Sequence, residues 1–590
     1  MIDPRAEYVR RLEERRAVSA RLRQWHVWLG NAKLAVVLAV PVAFYAGLEW
    51  PVYAAAAALF TSLLAAHEFV VRRLDRARRA EALYERALER LDGAWAGRGE
   101  SGEAYDEPDH PYAKDLDVFG RGGLFERLSV ARTRAGEATL ARWLTRAADG
   151  LEIRSRQEAV TELRPKLDLR EDLALLGEAV RAGVHAAELV AWSRRPALRV
   201  TWRARLLAPL LVLLFVAALV GWGLAKWPVS VVLAAVVPLA AFRLAHRRTA
   251  AAIVAAVDRP GGDLELLGSV LSRLEREPFL NLRLRELRGR MDVEGKPASR
   301  RIRRLNRLVE LLDSRDHVLM KALDPLLLWT EQLSFAIEAW RRTHGPGVEG
   351  WLDALGELEA LSSIAAYAFE HPHDPFPEIL DGGADIDATG IAHPLLPETA
   401  VRNDVRLSAG EGCAVFFVSG SNMSGKSTLL RTLGANALLA LAGAPVRAKS
   451  LRLTPVSIGA SIRVVDSLAS GVSRFYAEVL RLKNISDLTA GPLPLLFLFD
   501  ELLHGTNSHD RRIGAEALLT HLAGRGAIGL LTTHDLALTE IVAQLAPRAK
   551  NVHFEDHFED GRIRFDYRLR EGVVQKSNAL ELMRSVGLDV

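Results

Sequence analysis

Gly420-Ser421-Asn422-Met423-Ser424-Gly425-Lys426-Ser427 decides the reading of this chain. The apolar run Ala414–Ser419 precedes it, and helical periodicity follows from Lys426 to about Leu441. That is the strand, loop and helix context which a Gly-x-x-x-x-Gly-Lys-Ser segment requires to bind phosphate. Its glycines let backbone N–H groups approach phosphate oxygens, and the N-terminus of the helix favours their negative charge. Lys426 is expected to reach the β and γ phosphates and Ser427 to coordinate Mg²⁺. An ordinary turn would not need this order of residues.

Moving outward, the apolar run Leu493–Phe499 ends in Asp500-Glu501, and Ala527–Thr532 leads into Thr533-His534-Asp535. Continuous apolar runs of this length, bounded by turns, suit parallel strands buried on both faces. Asp500 then fits the water-mediated partner of Mg²⁺, and Glu501 the base that orients an attacking water. His534 is placed to sense the γ-phosphate. The plainer readings are acidic helix caps and a structural histidine; the order of the three segments favours the chemical one. The α/β region is expected over 386–590.

Upstream the character changes. Leu34–Leu48 and Trp50–Ala66 form one pair of apolar runs, Leu206–Ala225 and Val229–Phe242 another, and none of the four contains Lys, Arg, Asp or Glu. A helix needs about 20 apolar residues to cross about 30 Å of hydrocarbon, and snorkelling ends extend the shorter runs. The tips Glu49-Trp50-Pro51 and Lys226-Trp227-Pro228 carry Trp, which favours headgroup depth. Every open end is Arg-rich: Arg15, Arg16, Arg21 and Arg23, then Arg72, Arg73, Arg76, Arg78 and Arg79, then Arg194 to Arg205, then Arg243, Arg247 and Arg248. The positive-inside rule puts those ends in the cytoplasm. The expectation is a multi-pass protein of the cell membrane with its N-terminus and α/β domain cytoplasmic. Buried hairpins of a soluble protein are the alternative.

The expected organisation is a basic helix and hairpin over 1–80, a helix and acidic linker over 81–115, and a helical core over 116–200. A second hairpin over 201–248 and more helical core over 249–385 lead to the α/β domain. Glu294-Gly295-Lys296-Pro297 and Gly345-Pro346-Gly347 read as breaks. With 77 Lys and Arg against 73 Asp and Glu, the net charge of +4 says little about partners. Cys413 is the sole cysteine, which excludes an intramolecular disulfide. Arg300, Arg303, Arg304 and Arg307 fall on one helical face, beside Lys296 and Arg301, and are candidates for nucleic-acid phosphates. A solvated face or one against anionic lipid is the alternative.

Asn422-Met423 within the loop makes the chain resemble the MutS family of DNA mismatch-repair ATPases. Ala392-His393-Pro394-Leu395-Leu396, Asn403-Asp404, Asp466 to Phe475, Asp500 to Asn507 and Lys576-Ser577-Asn578-Ala579 resemble family segments in order. Gly123-Leu124-Phe125-Glu126 through Thr133 and Gly136 to Trp143-Leu144 resembles the start of its helical core. The resemblance implies an α/β P-loop ATPase domain of the ABC type, preceded by an all-α core and lever region, here with two transmembrane hairpins. It implies ATP and Mg²⁺ as cofactors, with Gly420 to Ser427 and Thr428 on the phosphates. It also implies a nucleotide-dependent homodimer in which Ser470, Gly471 and Ser473 complete the partner's site. Where the family places an aromatic side chain near adenine, this chain has Val401, which offers apolar contact only.

Mismatch-reading members begin with a domain that wedges a Phe-x-Glu into DNA, and the first 115 residues contain no such motif. The function expected is therefore a membrane-anchored, MutS-like ATPase with DNA as a partner by resemblance and no direct mismatch reading. A nucleotide-gated membrane scaffold for proteins is the alternative. An ABC-type transporter fits less well, since no Leu-Ser-Gly-Gly-Gln-like signature occurs.

Overall fold

A computed structural model describes residues 2–574 apart from 184–185, 197, 199, 258–263, 294, 411, 422, 464–473, 504–505 and 560–561. The chain packs as two units. One comprises residues 2–129, 140–167 and 361–574 and the other 130–139 and 168–360, each taken over its described residues.

The first unit begins with the antiparallel helices Pro4–Tyr45 and Trp50–Leu91. Asp3 caps the first through its side chain, and Pro4 occupies a first-turn position where a missing N–H costs nothing. Toward the tip their apolar side chains face outward, including Leu34, Leu38, Val42 and Leu59. At the open end the pattern inverts: Tyr8, Leu12, Tyr84 and Ala87 are buried together with Leu167 and Phe369. Arg90 forms a bidentate ion pair with Glu370 at 2.6 Å, and Tyr8 donates to the same carboxylate at 3.4 Å. Burial alone would raise the Glu370 pKa, but Arg90 and then Arg127 hold it below the usual range. The acidic stretch 96–109 contains the short turn Glu103–Tyr105, whose Tyr105 ring meets Phe125.

The C-terminal part of this unit holds two sheets. Six strands, β6 (Val415–Ser419), β8 (Ser457–Ser461), β9 (Leu495–Asp500), β10 (Ile528–Thr533), β11 (Ala549–Glu559) and β12 (Arg562–Glu571), lie in the order β12-β11-β6-β10-β9-β8. All neighbours are parallel except β11 and β12. Another four, β3 (Glu378–Ile379), β4 (Asp385–Ile391), β5 (Asn403–Ser408) and β7 (Ser450–Leu453), run β3-β7-β4-β5. β9 begins after Pro494 rather than at Leu493, because proline has no N–H for the ladder. β10 runs one residue beyond Thr532, since Thr533 pairs with Ser419. The helix Lys426–Ala442 is apolar on all sides and buried along most of its length.

The second unit is helical. Trp202–Ala225 and Val229–Val257 form a hairpin, and with the first pair they give, among the described residues, four helices long and apolar enough to cross a membrane. At the expected break Glu294-Gly295-Lys296-Pro297, of which Glu294 lies outside the described residues, β1 (Asp292–Val293) pairs antiparallel with β2 (Lys296–Pro297). The expected break at Gly345-Pro346-Gly347 does not occur: helix Trp329–Glu370 runs straight through it. Proline inside a helix costs about 3 kcal/mol, and packing outweighs that here. Trp340 stacks on Trp192 at 6.2 Å and meets Trp351 at 6.5 Å, while Arg341 donates to the Pro196 carbonyl at 3.0 Å. Glycine at 345 is needed for this approach, since a Cβ there would lie 2.8 Å from the Ser193 carbonyl oxygen.

Candidate functional site

Strand register assembles the site. Thr533 pairs with Ser419 and Thr532 with Asp500, so β6, β10 and β9 end at one level. The loop after β6, the acids at the end of β9 and His534 after β10 meet at the carboxyl edge of the sheet, the usual place for a ligand in an open parallel sheet.

The loop's backbone is shaped for close approach. Gly420 and Gly425 have φ of 147° and 103°, and Met423 stands at 72°. A Cβ on Gly420 would lie 2.9 Å from Ser424 Oγ and 3.1 Å from the Phe554 carbonyl oxygen; one on Gly425 would crowd Tyr567 at 3.2 Å. Lys426 is buried and donates from Nζ to the carbonyls of Gly420 and Ser421, at 2.7 and 2.8 Å. Burial lowers its pKa, while Glu501 and Asp500 act in the opposite sense. Ser421 Oγ and Ser424 Oγ are buried and lack a hydrogen-bond partner among the described residues. Buried hydroxyls cost free energy unless paired, so both are available to a polar group entering the loop.

The acidic pair has its own scaffold. Thr532 Oγ1 donates to Asp500 Oδ1, and Glu501 N donates to Thr532 Oγ1 at 3.2 Å. Glu501 and Leu503 have φ of 53° and 57°. Non-glycine residues in this region are strained and cluster at functional sites. His534 Nδ1 lies 3.2 Å from Glu501 Oε1. Leu503 N donates to the buried carboxylate of Glu478, on helix Arg474–Asp487.

A cavity of about 610 Å³ opens on this edge. Ser421, Met423, Gly425, Lys426, Ser427, Thr428, Val401 and Glu501 line it; Gly420 and Ser424 support the loop behind it. The sequence reading missed Tyr567 and Phe554, which also line it, and quoted His393, a third lining residue, only as part of a family-like segment. Tyr567 sits on β12 at φ 54°, with its carbonyl accepting from Asn403 Nδ2 at 3.0 Å. Only the pairing of β12 with β11, and of β11 with β6, brings that ring to the loop. Burial lowers the His393 pKa to about 4, so its imidazole is neutral near pH 7.

Asn422, Ser470, Gly471, Ser473, Gly505 and the Lys576-Ser577-Asn578-Ala579 segment lie outside the described residues. Arg300, Arg303, Arg304 and Arg307 are exposed on helix Ala298–Asp313, opposite the buried Ile302, Leu305 and Val309. Arg301 turns inward, with Nη1 2.8 Å from His344 Nδ1.

A family model described as MutS domain V matches residues 416–589. The chain is 34% identical over 239 residues to the DNA mismatch repair protein MutS of Aquifex pyrophilus, covering 40% of this chain and 27% of that one. It is 34% identical over 244 residues to the DNA mismatch repair protein MutS 2 of Halobacterium salinarum, with the same shares. It is 31% identical over 251 residues to MutS of Myxococcus xanthus, covering 41% and 28%. The chain thus matches little more than a quarter of these relatives' length. The α/β region around the glycine loop is where the likeness is concentrated: residues 416–589 are similar to MutS domain V, and the curated MutS and MutS 2 relatives match this chain over about 40% of its length.

Proposed function

We propose that this chain is a membrane-anchored, MutS-like ATPase that pairs with a second copy and couples ATP turnover to its helical region. The observation carrying the reading is the meeting of Lys426, Ser427, Asp500, Glu501 and His534 at one strand edge, around buried serine hydroxyls without partners among the described residues.

In this reading the residues over 386–590 are a P-loop ATPase domain of the ABC type. ATP with Mg²⁺ supplies the scissile phosphate and the charge-neutralising cation when bound. Ser427 and Asp500 offer one hydroxyl and one carboxylate, the sparse donor set that suits Mg²⁺ still holding waters and phosphate oxygens. Lys426 exchanges its two carbonyl acceptors for phosphate oxygens, and its partial desolvation strengthens that attraction. Glu501 orients the attacking water and His534 steadies Glu501. The Tyr567 ring and Val401 form the apolar wall for the base.

Helix Arg474–Asp487, which follows the segment containing Ser470, Gly471 and Ser473, exposes Phe475, Tyr476, Val479 and Leu480. Such a row supports pairing with a second copy. The outward-facing apolar side chains of both hairpins support a multi-pass anchor in the cell membrane, with the N-terminus and ATPase cytoplasmic. DNA is the proposed polyanionic partner, with Arg300, Arg303, Arg304 and Arg307 the exposed face for its phosphates. The competing reading is a nucleotide-gated scaffold for proteins.

One experiment separates the readings. ATP hydrolysis by the purified full chain is expected, and Glu501→Gln is expected to trap a dimer that retains DNA in high salt. No hydrolysis would refute the enzyme, and DNA binding no tighter than binding to another polyanion would favour the scaffold.

A further inference from the structure

The helix Val318–Leu327 is arranged inside out for a helix in water. Val318 is 88% exposed, Leu319 76% and Leu323 37%, whereas Asp324 is only 8% exposed. On a helix Val318, Leu319, Ala322, Leu323 and Leu326 form one continuous face, so the apolar stripe points outward and the acid points into the protein. Soluble helices do the reverse.

Its position accounts for the inversion. The helix packs against both helices of the second hairpin. Asp324 Oδ2 lies 2.8 Å from Arg243 Nη1, and its other oxygen accepts from Thr330 N at 2.8 Å. Arg243 is the first charged residue after the apolar run Val229–Phe242. The pair therefore holds the short helix level with the Arg-rich end of that run, and its apolar face is exposed, as are Leu206, Leu213, Leu233 and Val237 of the hairpin it packs on. Lys321 is exposed at its flank, suited to anionic headgroups.

We propose that Val318–Leu327 is a fifth membrane contact, lying in the plane of the cytoplasmic lipid surface with Val318, Leu319 and Leu323 at the acyl boundary. This rests on the hairpins being membrane spans. Through Arg243 and Asp324 the element fixes the second hairpin's depth, and through Thr330 it leads directly into the long helix Trp329–Glu370.

The test uses the full chain in liposomes. Cys413 is the sole cysteine, so Cys413→Ala provides a background for single cysteines at Leu319→Cys, Leu214→Cys and Arg307→Cys, each labelled with an environment-sensitive fluorophore. Lipids brominated near the headgroup are expected to quench the label at 319 about twofold, and deep bromination to quench it less. The label at 214 should respond best to deep bromination and that at 307 to neither. Quenching at 214 without quenching at 319 would overturn the fifth contact and leave the anchor standing. A blue emission at 319 that reddens on dilution, without quenching, would identify a second copy as the cover and overturn it too. Absence of quenching at 214 would refute the membrane reading, and this proposal with it.

Discussion

His534 Nδ1 stands 3.2 Å from Glu501 Oε1, although 33 residues separate them in sequence. Adjacent strands β9 and β10 deliver them side by side, and the left-handed backbone at Glu501 turns its carboxylate toward the glycine loop. If Glu501 orients the water and His534 acts through it, Glu501→Gln lowers kcat by about 10²- to 10⁴-fold. His534→Ala should cost less, and the double variant should be no slower than Glu501→Gln alone. Steady-state ATPase assays of the three variants check this; additive losses would separate the two roles.

Tyr567 supplies the only aromatic ring besides Phe554 and His393 among the described residues lining the cavity. Tyr567→Ala should raise KM for ATP about tenfold, the equivalent of about 1.4 kcal/mol of stacking, with kcat little changed. Tyr567→Phe should stay near wild type. An unchanged KM in the alanine variant would remove the ring from the base site.

The Arg90–Glu370 pair ties the open end of the first hairpin to the end of helix Trp329–Glu370, just before β3. Removing one partner of a buried pair leaves an uncompensated charge and costs about 3–5 kcal/mol. Arg90→Ala should therefore lower the melting temperature of the detergent-solubilised protein markedly. Adding Glu370→Gln should restore much of it. Equal melting of Arg90→Ala and wild type would show that the carboxylate finds other partners.

Glu359 is fully buried and accepts from Thr133 Oγ1 and from the backbone N–H groups of Thr133 and Arg132, at 3.2 and 3.3 Å. Burial raises its pKa from 4.5 to about 7. Because the folded value lies above the unfolded one, the folded state holds the proton longer. Its contribution to stability is fully present below about pH 4.5 and is lost as pH rises through 7, by roughly 3 kcal/mol at most. Glu359→Gln removes that loss, so the variant should gain on wild type between pH 5 and 8. Parallel melting curves across that range would exclude a buried titrating carboxyl.

The glycine-loop pattern and the apolar character of the four long helices were legible in the residues alone. A phosphate loop is a contiguous eight-residue pattern, and a membrane-length apolar run is a local property of composition. The three strands read from the sequence, β6, β9 and β10, were legible to within one or two residues, the shifts coming from Pro494 and from the Thr533–Ser419 pairing, whereas β8, β11, β12 and the four-stranded sheet were not read. The tertiary structure alone decided which distant residues share the cavity. Tyr567 reaches it through two successive strand pairings that no local pattern encodes, and helix Trp329–Glu370 continues through Gly345-Pro346-Gly347 because indole packing around Trp340 outweighs a local proline penalty. Local chemistry is written in adjacent residues; register and burial arise only when segments far apart in the chain compete for the same space.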